Sequence, residues 1–226
     1  MPRTRLALAL ALALFAAAPA FAQGQDIDKI NGSITATAGQ RYGDLETVNG
    51  SIRLQAGAQA ADVETVNGSI HGEDDVRAQT LSTVNGGIRL GRRAQVEAGI
   101  ETVNGAIFLD RGSRVGGDVA TVNGGIGLVD TDLAGDIATV SGDITVGAGS
   151  HVKGGIRVDK PNRGGVHVRL GRQRAPKIVI GPDAVVEGPL VFEREVRLYV
   201  HASARIGSVR GATAVRYSTP TPPADE

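Results

Sequence analysis

Three groups of side chains in this 226-residue sequence have the types and spacing that chemistry needs. The run Glu73-Asp74-Asp75, with the pair Asp62 and Glu64 before it, offers clustered carboxylates. Such groups act as general acid and base in glycan cleavage. The plainer reading of the run is a solvated acidic loop. The four histidines, His71, His151, His167 and His201, show no HExxH or comparable ligand spacing and read as surface residues. The third group is a basic stretch, Lys153, Arg157, Lys160, Arg163, Arg169, Arg172, Arg174 and Lys177, opposed only by Asp159. It suits an anion: a lipopolysaccharide phosphate, an acidic envelope polymer or an acidic protein. Its plainer reading is a solvated loop that keeps one end of the molecule soluble.

Composition removes other chemistry. There is no cysteine, so disulfides, thiol catalysis and cysteine-bound metals are excluded. The 32 glycines mark no strand-to-helix transition, so no phosphate-binding loop is expected. No cofactor or metal is implied, and nucleic acid is disfavoured because aromatics do not interleave with the basic residues.

The elements that must position these groups come from an internal repeat. Thr47-Val48-Asn49-Gly50-Ser51-Ile52 recurs unchanged at Thr65–Ile70, with variants further along. Aligned on asparagine, the copies fall at Asn31, Asn49, Asn67, Asn85, Asn104 and Asn123, with Ser141 seventh; the spacings are 18, 18, 18, 19, 19 and 18. β-Branched or aliphatic residues fill the columns four before, one before and three after the asparagine, which suits strands. The columns three and five after it alternate with strand period. The expected fold is all-β: a single-stack β-solenoid (β-helix) with coils of about 18 residues. A chain of antiparallel hairpins is the alternative, since Asn-Gly is also a hairpin turn.

In the solenoid the corner residues stack. Gly50, Gly68, Gly86, Gly105 and Gly124 follow their asparagines and give corners that tolerate positive φ. The asparagines themselves form a ladder, supported by the threonines two residues earlier. A narrow coil of Val, Ile, Leu and Ala also explains why the chain has four Phe, three Tyr and no Trp. Gly72 interrupts the +5 column, so residues 71–75 are expected to form a bulge or exposed loop.

Four segments follow. Residues 1–22 read as a signal peptide: Arg3 and Arg5, an Ala/Leu run, then Ala20-Phe21-Ala22. Export to a periplasm or beyond is expected, with no transmembrane segment in the mature chain. Residues 23–150 are solenoid repeats; 151–215 are further coils with the basic insertion as an extended hairpin or long loop; 216–226 are a disordered Pro-rich tail. The formal net charge of zero hides a division. Residues 23–150 carry 17 acidic and nine basic side chains; residues 151–226 carry seven and 13. A rod so divided could associate head to tail.

The iterated TVNGxIxL unit behind a signal peptide resembles the bacterial adhesin-like β-strand-repeat family of unknown function, the toast-rack proteins. The resemblance covers roughly residues 27–150. Ile180-Gly181-Pro182-Asp183-Ala184-Val185-Val186-Glu187-Gly188 is similar to turns of bactofilins, which are polymer-forming β-helical proteins. Neither resemblance implies a catalytic residue. The expected function is therefore a non-enzymatic exported scaffold or adhesin-like binding module. A carbohydrate-active β-helix enzyme, a lyase or hydrolase, is the alternative.

Overall fold

The computed structural model describes residues 24–161 and 174–223. The expected signal peptide, Arg163, Arg169, Arg172 and residues 224–226 lie outside them. The described chain is all-β and winds into a solenoid of about ten turns. Sheet A runs from Gln25–Asn31 to Val209–Arg210 with ten strands; sheet B runs from Ile34–Ala36 to Ala214–Tyr217 with ten; sheet C runs from Arg77–Ala78 to Arg205–Ile206 with seven. Each turn contributes a strand to A and then B, and the third to the ninth turns add a strand to C before the order repeats. Pairing is parallel and column to column: Asn49 on Asn67, Ile52 on Ile70, Thr102 on Thr121. Parallel pairing rules out the hairpin chain, which needs antiparallel neighbours.

Burial follows the alternation. The −4 column (Leu45, Val63, Leu81, Ile100) and the +3 column (Ile52, Ile70, Ile88, Ile107) are buried. The threonine column faces inward too, with Thr47, Thr65, Thr83, Thr102 and Thr121 nearly inaccessible. The β-branched column between threonine and asparagine points the other way. Ile30, Val48, Val66, Val103 and Val122 stand on the outer face of sheet A, 39–73% exposed. The third wall of the core was not apparent from the repeat, because its strands are two residues long and its inward column is small: Ala78, Val96, Val115, Leu133, Val152 and Val186.

The two kinds of corner are built differently. Of the Asn-Gly glycines only Gly32 has positive φ (112°), so the expected left-handed corner is corrected for the rest. Their requirement is for space. A Cβ on Gly68 would collide with the carbonyl of Gly50, one on Gly86 with that of Gly68, and one on Gly105 with that of Gly86. The left-handed residues instead occupy the corner from sheet B to sheet C. Gly39, Gly57, Asp75, Arg93, Gly112, Asp130, Gly149 and Asp183, in eight successive turns, have φ between 45° and 74°. Acidic side chains share this column with glycine because aspartate tolerates the left-handed region better than most residues.

That column also corrects the reading of residues 71–75. His71 and Gly72 belong to a sheet B strand in register with the turns on either side. Leu90 and Val76 occupy the space a Gly72 side chain would take. Glu73-Asp74-Asp75 is an ordinary coil corner, with no bulge or loop. Turns of 18 and 19 residues fit one stack because the corners differ in length. Three steps separate Ala78 from Leu81, whereas four separate Val96 from Ile100, and both pairs hold register.

The three sheets continue across residue 150 without interruption: Ile137 pairs with Ile156, and Val146 with Ile180. In the eighth turn the sheet A strand is Ile156–Val158 and the sheet B strand is Lys177–Ile180. The basic insertion therefore falls, in sequence, at the A–B corner where earlier turns carry Asn-Gly, and most of the hairpin or long loop expected there lies outside the described residues. Strand structure extends past the expected boundary at 215. Tyr217 ends the last strand, is buried, and donates its hydroxyl to the carbonyl of Ile180 at 3.2 Å.

Candidate functional site

The asparagine amides form a continuous ladder along the A–B edge. Nδ2 of Asn49, Asn67, Asn85, Asn104 and Asn123 each donates to Oδ1 of the asparagine one turn earlier, at 2.9–3.1 Å. The ladder has a direction: donors point toward the N-terminus. The threonines serve the backbone rather than the amides. Thr65 Oγ1 donates to Gly50 O at 2.8 Å, and Thr47, Thr83, Thr102 and Thr121 bond the equivalent carbonyls. At the seventh turn, where Ser141 replaces asparagine, Thr139 Oγ1 is buried without a hydrogen-bond partner. Arg194 closes this end, its Nη1 donating to Val140 O at 3.0 Å and Ser141 Oγ at 3.2 Å.

The carboxylates singled out for acid–base chemistry are committed to bonds between coils. Glu73 Oε2 accepts the backbone N–H of Ala56 at 3.1 Å, and Asp74 Oδ1 that of Arg92 at 2.8 Å. Asp75 holds Arg93 in a two-pronged pair, both contacts at 2.6 Å. That pairing lowers the Asp75 pKa through its hydrogen bonds to Arg93. Asp62 Oδ1 accepts from Thr80 Oγ1, while its own N–H donates to Asp44. Asp26, Asp118, Asp136 and Asp143 accept backbone N–H groups from the following turn in the same manner. Much of the acidic excess in residues 23–150 is thus structural stitching.

Glu64 belongs to a different set. Asp28, Glu46 and Glu64 are in register on the outer face of sheet A, one per turn. Partial burial raises the pKa of Glu46 and of Glu64, and nearby carboxylates add to it: Asp28, Glu64, Asp44 and Asp62 at Glu46, Asp62 and Asp44 at Glu64. Folding binds their protons more tightly, so stability from these groups is full below about pH 4.3 and falls as pH rises through the higher folded values. The double variant Glu46→Gln/Glu64→Gln should therefore melt higher than wild type at neutral pH, with the difference disappearing on acidification. Thermal melts between acid and neutral pH check this.

The remaining chemistry-bearing residues separate onto other faces. Arg53, His71, Arg89 and Phe108 form the outer column of sheet B in consecutive turns. The Arg89 guanidinium lies 4.7 Å above the Phe108 ring. His71, Arg89 and Phe108, with Glu73, Asp74 and Asp110, line a shallow groove. The repeat contained the signal for this column, four residues after each asparagine, but its varied chemistry hid it. His151 contacts Glu187 at 2.6 Å, and His201 stacks edge-on with Tyr217 at 5.1 Å. His167 lies outside the described residues. Among those described, no three His, Asp or Glu side chains are grouped to hold a metal ion.

The basic stretch is not gathered into one site by the described residues. Arg157 lies on sheet A and pairs with Asp159 at 3.1 Å. Lys153 is exposed beyond the His151–Val152 strand, and the Lys160 N–H reaches Glu193. Lys177 is on sheet B, with Nζ 5.0 Å from the Tyr199 ring centre and 3.4 Å from Pro223 O. Charge also divides around the rod, which the linear sequence concealed. In the first seven turns the outward arginines stand on sheet B (Arg53, Arg89), sheet C (Arg77, Arg114) and the corner between them, while sheet A presents Asp28, Glu46, Glu64 and Glu101.

These features define a three-sided β-solenoid with an asparagine-laddered edge and chemically distinct faces. No family model, curated protein or solved structure matches the chain. Among the described residues no helix is long and apolar enough to cross a membrane.

Proposed function

We propose that this chain is an exported, non-enzymatic β-solenoid that serves the cell envelope as a scaffold or adhesin-like binding module. One observation carries the reading. Glu73, Asp74 and Asp75, the residues best suited to acid–base work, each hold a neighbouring coil in place. The outer faces meanwhile repeat one residue per turn, which favours an extended partner over a small substrate. The residues from Lys153 to Lys177 supply positive charge for an acidic envelope polymer, lipopolysaccharide phosphate or acidic protein. End-to-end association of rods, driven by their unequal ends, belongs to the same reading.

The test combines fractionation of expressing cells with co-sedimentation on lipopolysaccharide and on an acidic polysaccharide. The mature chain should be found in the envelope fractions. Neutralising Arg169, Arg172 and Arg174 should reduce co-sedimentation. The variant Glu73→Gln/Asp74→Asn/Asp75→Asn should melt lower yet sediment as wild type does. Cleavage of pectin-like or peptidoglycan-derived glycans by wild type, lost in that triple variant, overturns the proposal in favour of an enzyme.

A further inference from the structure

Asn-Gly is a self-modifying step in polypeptides. The glycine backbone nitrogen attacks the asparagine Cγ, a new N–Cγ bond forms, and the Cγ–Nδ2 bond breaks. The glycine N–H proton is lost and Nδ2 departs as ammonia, leaving a five-membered succinimide. Water then opens that ring to aspartate or isoaspartate, and no oxidant or cofactor takes part. Glycine favours the attack because no side chain shields its nitrogen. This chain carries six such steps, and all six asparagines are exposed.

The structure distinguishes them. At Asn49, Asn67, Asn85 and Asn104 the side-chain amide is held on both sides, accepting from the next turn and donating to the previous one. The attacking nitrogen is held as well: the N–H groups of Gly50, Gly68, Gly86 and Gly105 bond the asparagine carbonyls of the following turn at 3.0–3.1 Å. Ring closure must therefore break three hydrogen bonds at a corner pressed against the glycine carbonyl beneath. Asn123 keeps its Nδ2 bonded to Asn104, and Gly124 N–H bonds Ser141 O at 2.9 Å.

Asn31 shares two of these bonds, its Oδ1 accepting from Asn49 Nδ2 at 3.1 Å. Gly32 N–H still reaches Asn49 O at 2.8 Å. Its Nδ2, the nitrogen that must leave, has no hydrogen-bond partner among the described residues, because the ladder's donors point toward this end. Gly32 alone among these corner glycines has positive φ, and among the described residues beyond its two chain neighbours no atom lies nearer its missing side chain than Lys29 Cδ at 4.0 Å. We infer that Asn31-Gly32 is the site of spontaneous deamidation in the folded chain and that the ladder locks the interior steps.

The direction of the ladder also sets the consequence. A carboxylate at position 31 still accepts from Asn49 Nδ2 and gives up a donor that bonds no described residue. At position 85 the same change sets two acceptors against each other where Asn85 Nδ2 and Asn67 Oδ1 now meet at 3.0 Å.

The test is to age the purified full chain at mildly alkaline pH and follow each Asn-Gly peptide by mass spectrometry. In the folded chain Asn31 should deamidate at least an order of magnitude faster than Asn67 or Asn85. In urea the six steps should proceed at similar rates. Equal folded-state rates at Asn31 and Asn85 overturn the inference. Melting of Asn31→Asp and Asn85→Asp provides a second reading. The first should match wild type and the second should melt several degrees lower, while equal losses overturn the directional ladder.

Discussion

Gly86→Ala is expected to destabilise the rod by about 3 kcal/mol, near the upper end of ordinary overpacking costs. The added methyl collides with the Gly68 carbonyl oxygen, a backbone atom that already accepts from Thr83 Oγ1 at 2.9 Å. No flexible side chain can yield. Relief requires the fourth turn to lift from the third, which stretches the amide ladder on one side and the Ile70–Ile88 contact on the other. Gly57→Ala is the instructive comparison. Its φ of 70° penalises a side chain, yet only Gly39 backbone atoms at 3.8 Å lie near the new methyl. Conformational strain of about 1–2 kcal/mol is the whole cost there. Urea titrations of the two variants separate the mechanisms, and an equal loss in both would refute the steric account of the Asn-Gly corner.

Ile107→Ala should cost about 2–5 kcal/mol, the range for a large aliphatic group removed from a packed interior. Ile107 is 1% exposed and stacked between Ile88 and Ile126 at the middle of the rod. In a linear stack each turn contacts only its neighbours, so damage at the centre weakens the link between two halves. Amide exchange should accelerate in the turns on either side of residue 107 before it does at the ends. Val103→Ala, four residues away on the outer face of sheet A, should change stability by no more than about 0.5 kcal/mol. Val103 is 39% exposed. A comparable loss in both variants would contradict the assigned burial.

The contrast between Val103 and Ile107 marks how far the sequence could be read. Periodicity at the asparagine revealed the solenoid, its coil length and two of its walls, because the −4 column marks sheet A and the +3 and +5 columns, interrupted at Gly72, mark sheet B. It could not reveal which face the valines occupy. A threonine inside and a valine outside invert the usual preference, and the inversion depends on glycine carbonyls that only the folded corner presents to Thr Oγ1. The third wall escaped notice because alanine and valine in two-residue strands resemble linker. Glu73, Asp74 and Asp75 read as a solvated loop, with a reactive cluster as the alternative, because sequence proximity mimics convergence and hides bonds to other turns. Folding disperses them, one to the turn before and two to the turn after. The corner glycines were recognised as essential, but for conformational freedom instead of space.

The tolerance of this stack for turns of 18 and 19 residues bears on how such a rod can change over generations. The extra residue sits at a corner, so strand positions keep their columns whatever the local count. Excising one entire turn, from Asn67 to Val84, would set Val66 before Asn85 and recreate the Val-Asn-Gly junction. Duplicating that segment would do the same in reverse. Each such event alters the rod by one strand spacing, about 4.8 Å, and leaves every retained column in its place. Length is therefore a heritable quantity that recombination within the gene can adjust in fixed increments, much as a ruler is cut at its divisions.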